Sequence, residues 1–385
     1  MNFDFSEEQS ALRDHIRRSL QKACPLTEVR RVFDDGAPCS EPAWQAIIEL
    51  GLPATMIDEA YGGLGLGALE MCIVAEEIGR VLAPVPFSSS LYFAAEAISA
   101  FGTEAQKARY LPGLAAGKSV GTYAVDEPGY YSFGNAPGTY IEDGLLHGSK
   151  APVPDGLMAD IAIVLARRTF DAAPDDTVLA IVSLDQPDID RVPVEMLDRS
   201  RPHAQIDFKG ANVEILGDGA NGDQIWKAVK DRAAVLLAFE QLGGADAALE
   251  MACDYALQRK AFGRIIGSFQ AIKHKLANIY IRNSLARANA YFSAWALANN
   301  SSDLPRAAAA SLLSCSDAFV FAATENNQVH GGMSYCWETD CHFFYKRSQM
   351  LKSAIGGSLH WKEKLVCELE RSNNPDPESM LGNLQ

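Results

Sequence analysis

A chain of 385 residues is too long for one small core, and at 48% hydrophobic and 22% charged it carries ample apolar material for burial. Its net charge of −15, with no Lys/Arg-rich block to neutralise phosphates, excludes nucleic acid as a partner class. Eight scattered cysteines without a C-x-x-C pair exclude a zinc site or a disulfide frame and fit reduced, buried thiols. The N-terminus MNFDFSEEQSALRDHIRR has neither the apolar core of a signal peptide nor the acid-poor bias of a transit peptide. No uninterrupted apolar run is long enough to span a membrane, so the expectation is a cytoplasmic protein with no membrane partner.

Residues from about 6 to 120 read as helices. Ser6 before Glu7 and Glu8 is an N-cap with carboxylates in the first turn, and Leu12, Ile16 and Leu20 recur at helical spacing, as do Trp44, Ile47, Ile48 and Leu52. The run Tyr61-Gly62-Gly63-Leu64-Gly65-Leu66-Gly67 lacks a preceding strand and a Lys-Ser/Thr ending, so it reads as a tight turn between helices and not as a phosphate loop. From 121 to 223 short apolar alternations (161–166, 178–184, 204–208) between Gly, Pro and Asp clusters predict an antiparallel β domain, sandwich or barrel. From 224 to 371 the helical period returns in long runs with short loops, the pattern of a four-helix bundle. The tail, 372–385, is expected to be disordered. The fold class is therefore α+β in three parts: 1–120 helical, 121–223 β, 224–371 helical.

Two stretches stand out. In YALQRKAFGRIIGSFQAIKH, Arg259 and Lys260 precede Phe262-Gly263, and Arg264, Gly267, Phe269 and Gln270 follow; the sequence reads as a helix end, a Gly-containing break and a new helix. Further on stands Gln328-Val329-His330-Gly331-Gly332-Met333. Arg259 offers paired charge-assisted hydrogen bonds to a diphosphate, Phe262 an aromatic face, Gly263 a helix end without a Cβ clash, and Gly331-Gly332 close backbone approach beside Gln328. His330 and His342 match no metal spacing.

These stretches resemble the R-x-x-F-G-x-x-I-x-x-F-Q and Q-x-x-G-G flavin-binding segments of the acyl-CoA dehydrogenase family. The resemblance extends through Ala75-Glu76-Glu77-Ile78-Gly79-Arg80 and Phe101-Gly102-Thr103-Glu104-Ala105-Gln106-Lys107, and covers the chain from Glu8 to about Leu365. It implies the family fold, with an N-terminal helical domain, a middle antiparallel β-barrel or sandwich and a C-terminal four-helix bundle. It also implies FAD, an acyl-CoA substrate, an electron-transfer flavoprotein as acceptor, and α,β-desaturation in which a carboxylate takes the α-proton. In family dimers each FAD lies across a subunit interface. The resemblance accordingly assigns Arg259, Phe262, Gln270, Gln328, Gly331 and Gly332 to the adenine and pyrophosphate end of a neighbour's cofactor.

The flavin-ring side departs from the family. Its T-E-P-G-x-G-S-D corresponds to Asp126-Glu127-Pro128-Gly129-Tyr130-Tyr131-Ser132-Phe133, and its K-x-W-I-T to Lys150-Ala151-Pro152-Val153-Pro154. Pro154 has no N–H and no hydroxyl to replace the lost threonine. The two family positions of the catalytic base fall, by a gapless count, on Ile355 and Ala233, and the nearby acids are Asp231, Glu240, Glu338 and Asp340. The catalytic residue is thus unassigned. The pattern resembles the accessory subunit of α2β2 acyl-CoA dehydrogenases of the steroid side-chain type, which implies a homologous partner subunit. The alternatives are a self-sufficient homomeric enzyme with a relocated base, and a non-enzymatic acyl-CoA-binding or structural relic.

Overall fold

The computed structural model describes residues 6–129 and 137–373. The chain divides into two compact units whose boundary falls between Ala233 and Ala234.

The first unit opens with helices α1 (Glu7–Ala23), α2 (Leu26–Asp35), α3 (Glu41–Glu49) and α4 (Ala68–Arg80). Ile16 and Leu20 are fully buried, and α1 packs on α3 and α4. Arg17 clamps the buried Glu77 of α4 with a two-pronged contact at 2.7 and 2.9 Å. The glycine run before α4 spends its N–H groups on its own chain: Gly63, Leu64, Gly65 and Leu66 donate to the carbonyls of Asp58, Ala54, Ile57 and Thr55. A phosphate loop needs those donors free. A π-helix, Ser88–Ala95, is buried throughout and leads into α5 (Glu96–Phe101) and α6 (Glu104–Ala115). Ser88 and Ser89 are held by a buried Arg201–Asp155 ion pair, the serine hydroxyls lying 2.8 Å from the Arg201 guanidinium and 2.6 Å from the Asp155 carboxylate.

The sheet follows: β1 (Gly121–Ala124), β2 (Tyr140–Glu142), β3 (Leu145–Pro154), β4 (Ile161–Arg167), β5 (Thr177–Ser183), β6 (Ile189–Val194), β7 (His203–Asn212) and β8 (Glu214–Ile215). Their order is β6-β7-β3-β2-β4-β5-β8, with β1 beside β4. It differs from the all-antiparallel expectation in two pairings, since β1 and β2 both run parallel to β4. Alternation along a strand reports burial and not the direction of its neighbour, which is why the sequence pattern missed this. The β3–β7 ladder breaks between Lys150 and Val153, so Pro152 sits in a bulge where no ladder donor is required.

The second unit contains the rest of α7 (Gly222–Gln258), a two-stranded hairpin of β9 (Lys260–Ala261) and β10 (Arg264–Ile265), then α8 (Gln270–Ala298), α9 (Leu304–His330), α10 (Cys341–Ser353) and α11 (Gly357–Asn373). By length and composition the α9 segment would pass for a membrane span, but 61% of its apolar window is buried, and α8, α10 and α11 all pack on it. It is the bundle's central helix. The bundle expected as four helices carries its last element in two pieces, because the backbone kinks at Ala354–Gly356, where Ile355 takes φ 50° and Gly356 and Gly357 also have positive φ. Beyond Asn373 the expected disordered tail lies outside the described residues.

Candidate functional site

Helix α7 ends at Gln258, and the chain reverses through a two-residue turn in which Phe262 (φ 53°) and Gly263 (φ 79°) both adopt the left-handed conformation. That is the geometry of a tight β-hairpin. Gly263 therefore does not cap the helix, as its sequence context suggests; it serves the hairpin turn, five residues after the last helical one. Phe262 is 95% exposed at the tip, in edge contact with Phe269, over which the Arg264 guanidinium stacks at 4.0 Å. Gln270, exposed, begins α8.

The hairpin base is anchored beside the end of α9 by a small core of Ala252, Ala256 and Val329, with Tyr255, Ile266 and Leu276 against it. A cavity of about 330 Å³ opens there, lined by Tyr255, Arg259, Ala261, His330 and Gly332 among others. His330 ends α9 and stacks on Tyr255 at 4.1 Å. Its Nδ1 lies 2.9 Å from the Asn326 carbonyl, which makes Nδ1 the donor and leaves Nε2 as an acceptor, and burial pushes the imidazole below its ordinary pKa. Arg259 is exposed, and its guanidinium enters no ion pair among the described residues. Gly331 closes α9 at φ 61°, a conformation that favours glycine, whereas Gly332 has no such backbone need. A Cβ on either would meet no atom of this chain within 4 Å. Gly332 also lines a second cavity of about 650 Å³ together with Gln328 and Gly331. The structure thus joins Arg259 to Gly332, and Gln328 to Gly331 and Gly332, while Phe262 and Gln270 line neither cavity.

In the other unit, Lys150 is fully buried and its Nζ lies 2.7 Å from Glu127 and 3.2 Å from the Val125 carbonyl. The Glu127 carboxylate also accepts the N–H groups of Gly138 (2.6 Å) and Thr139 (3.0 Å) and the Thr139 hydroxyl (2.8 Å). Burial pushes this carboxyl up, but Lys150 and the two N–H groups more than offset it, and it sits below the ordinary carboxylate value. Asp126 is raised instead by the dense protein around it, against the pull of Lys150 and Lys230. The Pro154 carbonyl accepts the Thr122 hydroxyl at 2.5 Å, and Pro152 is exposed. Tyr130, Tyr131, Ser132 and Phe133 lie outside the described residues.

Comparison with known proteins gives this geometry its context. The chain matches the profiles described as acyl-CoA dehydrogenase, N-terminal domain, over residues 6–118, and acyl-CoA dehydrogenase, C-terminal domain, over 226–359. It is 31% identical over 345 residues to an acyl-CoA dehydrogenase of Bacillus subtilis, covering 86% of this chain and 89% of the relative. The chain belongs to the acyl-CoA dehydrogenase family. It is also 29% identical over 357 residues to acyl-CoA dehydrogenase IpdE2 of Mycobacterium tuberculosis, covering 90% and 94% of the two chains. A solved structure of a variant of the "Tcur3481-Tcur3483 steroid ACAD" superposes with a TM-score of 0.85 at 27% identity, over 96% of this chain and 99% of that one.

Acyl-CoA dehydrogenases are FAD-binding oxidoreductases. The diphosphate end fits such a cofactor: an uncommitted guanidinium faces a cavity shared with a glycine whose missing side chain nothing in this chain explains. The ring end does not fit in the family manner, since Pro152 and Pro154 offer no donor and the Glu127 carboxylate is occupied with Lys150 and backbone. Neither family position for the base holds a proton acceptor: Ala233 is fully buried, and Ile355 is 7% exposed. Of the neighbouring acids, Glu338 is exposed and Asp340 half-buried at the start of α10. Glu240 is 1% exposed, a burial that helical spacing alone could not show. His330, which matches no metal spacing in the sequence, is a helix-terminal wall of the cavity.

Proposed function

We propose that this chain is a subunit of an FAD-dependent acyl-CoA dehydrogenase that supplies the diphosphate-binding half of a cofactor site across an interface with a homologous subunit, in an α2β2 assembly acting on an acyl-CoA thioester of the steroid side-chain class. The observation that carries the reading is the contrast between the two ends: Arg259 is free at an open cavity, while both base positions are buried and apolar. Likeness to a steroid acyl-CoA dehydrogenase supports the substrate class. When bound, the flavin supplies the oxidant for hydrogen removal across the α,β-bond. This chain's part is to hold: Arg259 grips the diphosphate as a fork, Gly332 lets it approach, and the Tyr255–His330 stack keeps the wall rigid. The full chain purified alone is expected to be largely colourless, and to yield a yellow FAD spectrum only when co-purified with a homologous subunit. A stoichiometric FAD spectrum from the isolated chain would overturn the proposal.

Arg259→Ala should weaken flavin retention in the assembled complex by about ten- to a hundred-fold, the worth of a charge-assisted contact of roughly 1.5–3 kcal/mol. Arg259→Lys should recover only part, because the fork geometry is gone. Equilibrium dialysis of the intact complex measures this, and unchanged FAD content in the Ala variant removes Arg259 from the site.

A second reading, a homomeric enzyme with a relocated base, has one observation in its favour: the buried carboxylate of Glu240 on α7. It stands two helical turns beyond Ala233, about 10 Å further along the axis, which is more than a proton transfer can span without moving the substrate.

A further inference from the structure

The acidity of this chain is unevenly placed. Its net charge is −15, yet from Tyr255 to Ser302 it carries seven Lys and Arg and no Asp or Glu. That stretch holds the end of α7, the β9–β10 hairpin and α8. Resting on the subunit reading above, we propose that the exposed face of α8 docks against an acidic face of the homologous subunit. Tyr280, Ile281 and Leu285 are its apolar anchors, and Lys273 and Arg282 are the charges that favour that partner over a second copy of α8.

The two faces of α8 differ. Ile279, Asn283, Ala286 and Ala290 are buried, and the helix packs on α9. Ala277, Tyr280, Ile281, Ser284, Leu285 and Ala288 follow the spacing i, i+3, i+4, i+7, i+8 and i+11, which sets them on one stripe, and all are exposed. Tyr280 and Leu285 each expose 65% of their surface. A contiguous apolar stripe on a helix whose other side is already packed marks an interaction surface. Two of the seven cations are spent within the chain, Lys275 on Glu325 at 2.6 Å and Arg287 on Asp246. Arg259, Lys260, Arg264, Lys273 and Arg282 are exposed and pair with no carboxylate among the described residues. The complement of this face is an apolar surface with acidic flanks. A second copy of α8 is a poor match, because an isologous contact sets cation against cation over a segment without one acid. An anionic lipid surface matches the charge but offers no cofactor to Arg259. Gln270, the first residue of α8, belongs with Arg259 to the set assigned to the neighbour's cofactor, so an interface that reaches the hairpin continues along this helix.

Size-exclusion chromatography with light scattering, on the full chain alone and co-expressed with the homologous subunit, tests the assignment. Leu285→Asp should abolish co-elution, and Arg282→Glu should weaken the complex about ten-fold or more, while both variants keep the wild-type melting temperature because the two positions are exposed. The association rate of the wild-type pair should fall as salt is raised. If the wild-type complex forms and both variants leave it intact, α8 is not the docking face, and the subunit reading stands without it. If the chain alone forms a dimer that Leu285→Asp breaks, the occupant is a second copy and the assignment fails. Binding of the chain to phosphatidylserine vesicles that Arg282→Glu abolishes, with the complex unaffected, would give the face to lipid and overturn it too. If no complex forms with the homologous subunit at all, the subunit reading falls and this assignment with it.

Discussion

In the assembled enzyme, replacing the catalytic carboxylate of the partner subunit by its amide is expected to lower turnover by about 10² to 10⁴, with FAD still bound, whereas Glu240→Gln, Glu338→Gln and Asp340→Asn in this chain leave turnover within a few-fold of wild type. The reason is chemical before it is structural. The α-proton of a thioester is only mildly acidic, so a base must be positioned at it, and Ala233 and Ile355 have no lone pair to offer. Ile355 moreover holds a positive φ that a β-branched side chain tolerates poorly, at a kink pinned by the Trp361 indole donating to its carbonyl at 3.1 Å. The backbone bend persists there with an apolar side chain on it. Glu240→Gln is the informative arm, because its carboxylate is buried and the amide is nearly isosteric. Suppose that variant alone loses a hundred-fold or more in turnover with flavin content and assembly unchanged. The base then resides in this chain, and the accessory-subunit reading fails.

Glu127→Gln is expected to destabilise the first unit by about 3–5 kcal/mol, because it leaves the fully buried Lys150 ammonium without its counter-charge. The double variant Glu127→Gln with Lys150→Met should regain most of the loss, since removing both charges removes the uncompensated one. Urea unfolding of the wild type and the two variants, followed by circular dichroism, measures the difference. A Glu127→Gln chain within about 1 kcal/mol of wild type would show that the pair contributes little. The same substitution separates two roles for this residue: a clamp on the Gly138 and Thr139 N–H groups, or a ligand for the flavin. The geometry favours the clamp, as the carboxylate is saturated by its four protein donors.

What the sequence determined by itself is local chemistry. Helical period and strand alternation are written over a dozen neighbouring residues, so the succession of helices, sheet and helices was legible. Arg259 and Gln328-x-x-Gly331-Gly332 stand out by residue type and local spacing, and residue type alone shows that Ala233 and Ile355 can hold no proton. The tertiary structure decided everything that depends on which distant segment lies opposite. Gly263 reads as a helix end until β9 and β10 pair across it. Glu127 shows nothing of its partner until Lys150, 23 positions away, is found against it. An acid such as Glu240 carries no mark of its burial. Burial and pairing are properties of two surfaces at once, and a stretch of sequence specifies only its own.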